Sequence, residues 1–233
     1  MPHLFAAVAP EQEARVTLLC QDIPPPSTGL GTVPSGQRTK LRLETERRFL
    51  ADSAALRPLL VEAPRQRLRQ GYLNADPGRR VRVRVSDAGQ ALLTVKGPVG
   101  HDGLTRPEIE TTIDSLAAEA LLRLCLGRVI DKTRHRLLFA GRTWDIDLFH
   151  GELADLTVAE VELAHARETV DLPSWVGREI THVPNVGNFS LATRELPLLR
   201  QRLGVQFGER GCGRRWRGRS SEGDGSTLYG AVS

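Results

Sequence analysis

The stretch Leu41 to Leu50, LRLETERRFL, constrains this chain more than any other. Glu44, Glu46 and Arg48 fall at i, i+2 and i+4. Alternate residues of a β-strand point to the same face, so these three side chains share one side. Leu43, Thr45, Arg47 and Phe49 take the other. The pattern returns along the chain as Arg82/Arg84, Glu108/Glu110, Lys132/Arg134, Asp145/Asp147 and Glu160/Glu162. One such pair is ordinary for a solvated strand with cross-strand ion pairs. Six pairs in β-prone sequence point to a shared surface that binds a metal ion and a polyanion.

The other strands follow from the same period. Arg79 to Ser86, RRVRVRVS, alternates Arg with Val. Gln66 to Asn74 precedes it, and Gln90 to Gly97 returns after a turn at Ala88-Gly89. Glu108 to Ile113, Arg128 to Phe139, Thr143 to Phe149 and Leu156 to Leu163 complete about eight strands, with Ala140-Gly141 joining a second hairpin. Short helices are expected over Ser53 to Leu60 and over Ser115 to Leu124, where Leu116, Ala120, Leu121 and Leu124 recur at helical spacing with Ser115 as N-cap. Leu191 to Leu203 is expected as one closing helix despite Pro197. The apolar faces of the strands, such as Val81, Val83 and Val85, need cover. If helices cover them from outside and the sheet closes, no edge is left unpaired and the charged face turns inward. The expected fold is mainly β, an eight-stranded antiparallel barrel forming a tunnel, with short helices packed outside.

Three regions are expected along the 233 residues. Residues 1–39, with Pro24 to Pro26, form a flexible extension, residues 40–203 the folded body, and residues 204–233 a disordered basic tail. The formal net charge is +4 and the aromatic content 5%. A polyanion suits that balance, whereas scarce stacking platforms argue against a nucleic-acid partner. Cys20, Cys125 and Cys212 form no C-x-x-C pair and are expected as free thiols. His135, His165 and His182 lack ligand spacing, and Trp144 and Trp175 are expected in the core. No export signal and no apolar run long enough to span a membrane is present, so a cytoplasmic location is expected.

The ordered motifs resemble the CYTH domain, the triphosphate tunnel metalloenzyme family. Glu44, Glu46 and Arg48 match its opening motif. Gln70-Gly71-Tyr72-Leu73, Arg82-x-Arg84, Thr94-Val95-Lys96-Gly97 and Glu108-x-Glu110 follow in the family's order. Asp131 to Arg134, Trp144 to Phe149, Ala159 to Leu163, Trp175 to Thr181 and Asn188 complete the set, over roughly residues 41 to 200. The resemblance implies hydrolysis of inorganic triphosphate or a related small triphosphate, dependent on Mg2+ or Mn2+. The alternatives it leaves are a class IV-type adenylate cyclase or a polyphosphate- or nucleotide-binding module without turnover. It implies Glu44, Glu46, Glu108, Glu110, Asp147, Glu160 and Glu162 on the metal side. Arg82, Arg84, Lys96, Lys132 and Arg134 are the implied phosphate ligands, and Arg48 and Lys96 the catalytic cations. A monomer or homodimer is expected. The sequence departs from the family at Arg48, where a Lys is usual, and at Glu152 to Asp155, where an Asn and a Gly are frequent.

Overall fold

A computed structural model describes residues 38–76 and 78–207. Strand β1 (Thr39–Ala51) organises the fold by pairing along both edges. Its first half runs antiparallel to β5 (Thr105–Thr112), with Lys40 opposite Glu110 and Glu44 opposite Arg106. Its second half runs antiparallel to β8 (Thr157–Glu162), with Glu46 opposite Glu162 and Arg48 opposite Glu160. Between them the sheet continues through β4 (Ala91–Lys96), β3 (Arg80–Ser86), β2 (Arg65–Tyr72), β6 (Leu126–Phe139) and β7 (Arg142–Phe149). All these pairs are antiparallel, so the eight strands close into the expected barrel. A four-residue strand that the sequence did not reveal, β9 (Val176–Glu179), adds to the end of β1 at Phe49 and Ala51. The β6–β7 hairpin turns on Ala140 and Gly141, both at positive φ, the geometry two-residue hairpins require.

Two helices cover outer faces as expected, and two more pack at one end of the interior. Helix α1 (Ser53–Leu60) is capped by the Asp52 carboxylate and buries Leu56 and Leu60 beside Phe49, Trp144, Ile146 and Trp175. Helix α2 (Ser115–Arg123) buries Ala118 and Leu122 over Val83, Val85 and Ala91. Its cap is Asp114, not Ser115, and the helix turns Leu116 and Leu124 outward. The expected single closing helix is two. Helix α3 (Asn188–Thr193) ends at Arg194, and α4 (Leu196–Leu203) restarts with Pro197 in its first turn, where a missing N–H costs nothing. These two helices pack Phe189, Leu191, Leu199 and Leu203 against Leu50, Tyr72, Ile130, Phe149 and Val158. By strand parity those five share the barrel's inner face, so the interior turns apolar at that end. Phe207, in the stretch expected as a tail, belongs to this cluster and is 1% exposed. The remainder of the expected extension and tail, residues 1–37 and 208–233, lies outside the described residues.

Candidate active site

Strand parity delivers the charged residues to one cavity of about 610 Å3 inside the barrel. From β1 come Lys40, Arg42, Glu44, Glu46 and Arg48, every second residue of the strand. Strand β3 contributes Arg80, Arg82 and Arg84, β4 Lys96, and β5 Arg106, Glu108 and Glu110. Arg134, Arg136, Asp145, Glu160 and Glu162 come from β6 to β8, and Arg142 from the start of β7. Eleven Lys and Arg side chains face seven carboxylates there. Part of this excess is met elsewhere, since Arg142 pairs with Glu168 and Arg134 with Asp147, and Lys40 and Arg136 are exposed; the lining as a whole still suits an anionic occupant.

Most carboxylates already hold cations. The Lys96 Nζ donates to both Glu44 oxygens at 2.6 Å and lies 3.0 Å from Glu108 Oε1. Arg106 Nε donates to Glu44 Oε2 at 2.8 Å. Burial pushes the Glu44 carboxyl up, but Lys96 and Arg106 outweigh it and hold it at about 2. Arg42 joins Glu108 to Glu162, and Arg84 donates to Glu110 at 3.1 Å. Arg134 reaches Asp145, Asp147 and Glu160, each at 2.6–2.7 Å.

Glu46 differs. Its nearest cations, Arg106 Nη2 at 3.6 Å and Arg48 Nε at 3.7 Å, stand beyond hydrogen-bond range. Burial raises its carboxyl pKa, and the Glu160 and Glu44 carboxylates raise it further. The Glu46 and Glu160 carboxylates thus repel each other, and a cation between them would relieve that repulsion. Among the described residues, no three Asp, Glu, His or Cys side chains converge to hold a metal by themselves. Mg2+ does not require that: it uses one or two carboxylates and completes its shell with water and phosphate oxygens. The donor set fits such an ion.

Of the residues the sequence assigned to the site, eleven line the cavity: Glu44, Glu46, Arg48, Arg82, Arg84, Lys96, Glu108, Glu110, Arg134, Glu160 and Glu162. Lys132 and Asp147 do not. Lys132 is 1% exposed and Asp147 0%, and they pair at 2.6 Å in the wall. Both therefore sit behind the cavity lining, paired with each other. Arg106 was missed because Pro107 hid the start of its strand, yet Arg106, Glu108 and Glu110 alternate as Glu44 and Glu46 do. Arg80 and Arg42 likewise extend recognised pairs by one step of two, and Lys40 by a second step.

Arg48 is fixed from outside the strand. Its Nη2 donates to the Thr181 carbonyl at 3.3 Å, and a Cβ on Gly187 would stand 2.7 Å from its Nη1. Gly187 has an ordinary φ of −74°, so Ala fits the backbone and only the guanidinium must move. Gly187→Ala is expected to change stability by less than about 1 kcal/mol. By displacing one charge-assisted contact it should lower kcat/KM by about tenfold. Thermal melting together with kinetics checks this. Loss of both stability and rate would place the effect in the fold instead.

The fold and site define a closed antiparallel barrel whose interior is lined by cations and carboxylates. Comparison with known proteins agrees. The model of the CYTH domain matches residues 42–194, and the chain belongs to that family. An inorganic triphosphatase of Acetivibrio thermocellus is 39% identical over 150 residues, 64% of this chain and 92% of that one. An inorganic triphosphatase of Nitrosomonas europaea is 34% identical over 129 residues, 54% of this chain and 83% of that one. A crystal structure of an inorganic triphosphatase is 29% identical, with a TM-score of 0.48, covering 65% of this chain and 99% of that one.

Proposed function

We propose that this protein hydrolyses inorganic triphosphate with the help of Mg2+ or Mn2+. One observation carries the reading: the cavity has a cation surplus suited to a polyphosphate, with a carboxylate, Glu46, left without a hydrogen-bonding cation beside Glu160. The two inorganic triphosphatases named above support the substrate.

Arg82, Arg84 and Arg134 hold phosphate oxygens, with guanidinium forks matched to such groups. Each already shares its charge with a carboxylate, which fixes its orientation before substrate arrives. Lys96 stands between Glu44 and Glu108 as a compact donor; burial lowers its pKa, and the nearby Arg82 and Arg106 lower it further. Arg48, tied to Thr181, offers charge where the inner face turns apolar. Glu46 and Glu160 would hold the metal, which supplies Lewis-acid polarisation of the phosphoryl oxygens when bound. Water then attacks the terminal phosphorus, the anhydride bond breaks, and orthophosphate and pyrophosphate leave. Preorganised cations stabilise the charge that spreads onto the phosphoryl oxygens.

A substrate panel tests the reading. Inorganic triphosphate with Mg2+ or Mn2+ should yield orthophosphate and pyrophosphate in equal amounts. Cyclic AMP and pyrophosphate from ATP would instead establish a cyclase. Tight binding of triphosphate without turnover would establish a binding module. The protein is expected to be a monomer or homodimer, which sedimentation measures. Among the described residues no helix is long and apolar enough to cross a membrane.

A further inference from the structure

Arg80 stands apart from the other buried or half-buried cavity cations; Lys40 also lacks an ion pair among the described residues, but it is exposed. Arg42, Arg82, Arg84, Lys96, Arg106 and Arg134 each lie within 4.0 Å of a carboxylate. Arg80 has no ion pair among the described residues, although its side chain faces the same cavity and is half-buried. Its guanidinium sits 5.2 Å from the Phe189 ring centroid, and Phe189 in turn meets Tyr72 edge-on at 5.2 Å. The aromatic pair fixes where the charge stands, since a cation prefers the face of a ring. Burial lowers the Arg80 pKa, and the neighbouring Arg106 charge lowers it further. Glu46 favours the charge from a distance, but no carboxylate among the described residues stands within ion-pair range of Arg80.

Its position in β3 gives the missing anion an identity. Arg80, Arg82 and Arg84 follow at steps of two, so they point the same way with about 6.7 Å between successive Cα atoms. Arg80 is the member nearest the apolar end of the barrel, beside Tyr72 and Phe189. A phosphate chain lying along Arg84 and Arg82 would bring its end group there.

The geometry points to Arg80 as a substrate-binding residue that holds the free terminal phosphoryl group of the triphosphate, at the apolar-capped end of the cavity. This rests on the triphosphate reading of the site. A terminal phosphoryl group carries more charge than an internal or esterified one, and an otherwise unpaired guanidinium rewards that difference. A substrate esterified at both ends has no such group to offer.

The test is binding without turnover, so that it reads Arg80 whether or not the hydrolytic reading holds. Dissociation constants are measured by calorimetry in EDTA for inorganic triphosphate and for diadenosine triphosphate, which is capped at both ends. Arg80→Ala should weaken triphosphate binding at least tenfold, roughly the worth of one charge-assisted hydrogen bond, and leave diadenosine triphosphate within about twofold. Arg80→Lys should recover part of the loss. With metal present, kcat/KM for triphosphate should fall at least tenfold. Equal weakening toward both compounds, or no weakening toward triphosphate, would overturn the assignment. A lowered melting temperature with unchanged affinity would give Arg80 a structural role instead. Failure of the wild-type chain to hydrolyse any triphosphate would remove the proposed activity and leave the binding comparison readable.

Discussion

Asp147→Ala is expected to destabilise the domain by about 3–5 kcal/mol, the usual cost of leaving buried charge unpaired. Asp147 is 0% exposed and accepts from Lys132 Nζ at 2.6 Å and from Arg134 Nε and Nη2 at 2.7 Å each. Lys132 is itself 1% exposed, so its ammonium loses its carboxylate partner inside the wall. Burial opposes ionisation of Asp147, but Arg134 and Lys132 outweigh it and hold the carboxyl well below its usual range. A carboxyl whose pKa is lower folded than unfolded stabilises at pH above the unfolded value, about 3.9. That contribution fades as pH falls from there toward the folded value. Urea denaturation should show wild type losing stability below about pH 4, and Asp147→Ala losing less over the same interval. Replacing both partners, Lys132→Met with Asp147→Ala, should recover part of the loss, since an apolar pair leaves less uncompensated charge. A single-variant change below about 0.5 kcal/mol would show that the pair is not the structural element its burial implies.

The fate of Lys132 and Asp147 shows how far strand parity reaches. Alternation states which face a residue takes, and it placed both on the inner face with Arg134 and Asp145. It does not state height along the barrel. Lys132 lies opposite Phe149 on β7 and two residues from Ile130, where the inner face has turned apolar. Height depends on how far each strand is staggered against its neighbour, a property of the closed sheet. The carboxylates and cations nearer the middle of β1 had no such ambiguity, so Glu44, Glu46 and Arg48 were legible. Arg106 was obscured by Pro107, whose missing N–H reads locally as a strand boundary. Local rules also failed at α2, where the Asp114 carboxylate accepts from Leu116 and Ala117 and shifts the buried stripe to Ala118 and Leu122. Strand β9 is four residues long and shows no period to recognise.

Chelation by EDTA is expected to reduce hydrolysis of inorganic triphosphate at least hundredfold, and Mg2+ or Mn2+ should restore it. The scale follows from charge stabilisation of several kcal/mol by a bound divalent ion, each 1.36 kcal/mol being tenfold in rate. Glu46 offers the means to assign the effect. It is the inner carboxylate without a hydrogen-bonded cation, and it faces Glu160 and Glu44. Glu46→Gln keeps the shape, removes one negative charge and weakens the oxygen donor. With metal present, kcat should fall about hundredfold if Glu46 helps to hold the ion. Without metal, the same substitution should tighten triphosphate binding, because a repelling charge has left the cavity and Arg48 and Arg106 are freer to meet phosphate. The two effects have opposite signs, which a general disturbance of the barrel cannot produce. Titrating Mn2+ into the variant and the wild type, read by the bound fraction as well as by rate, separates a lost ligand from a misplaced one. Full turnover of the wild type in excess EDTA would sink the metal reading and leave Lys96, Arg48 and the β3 arginines to act alone.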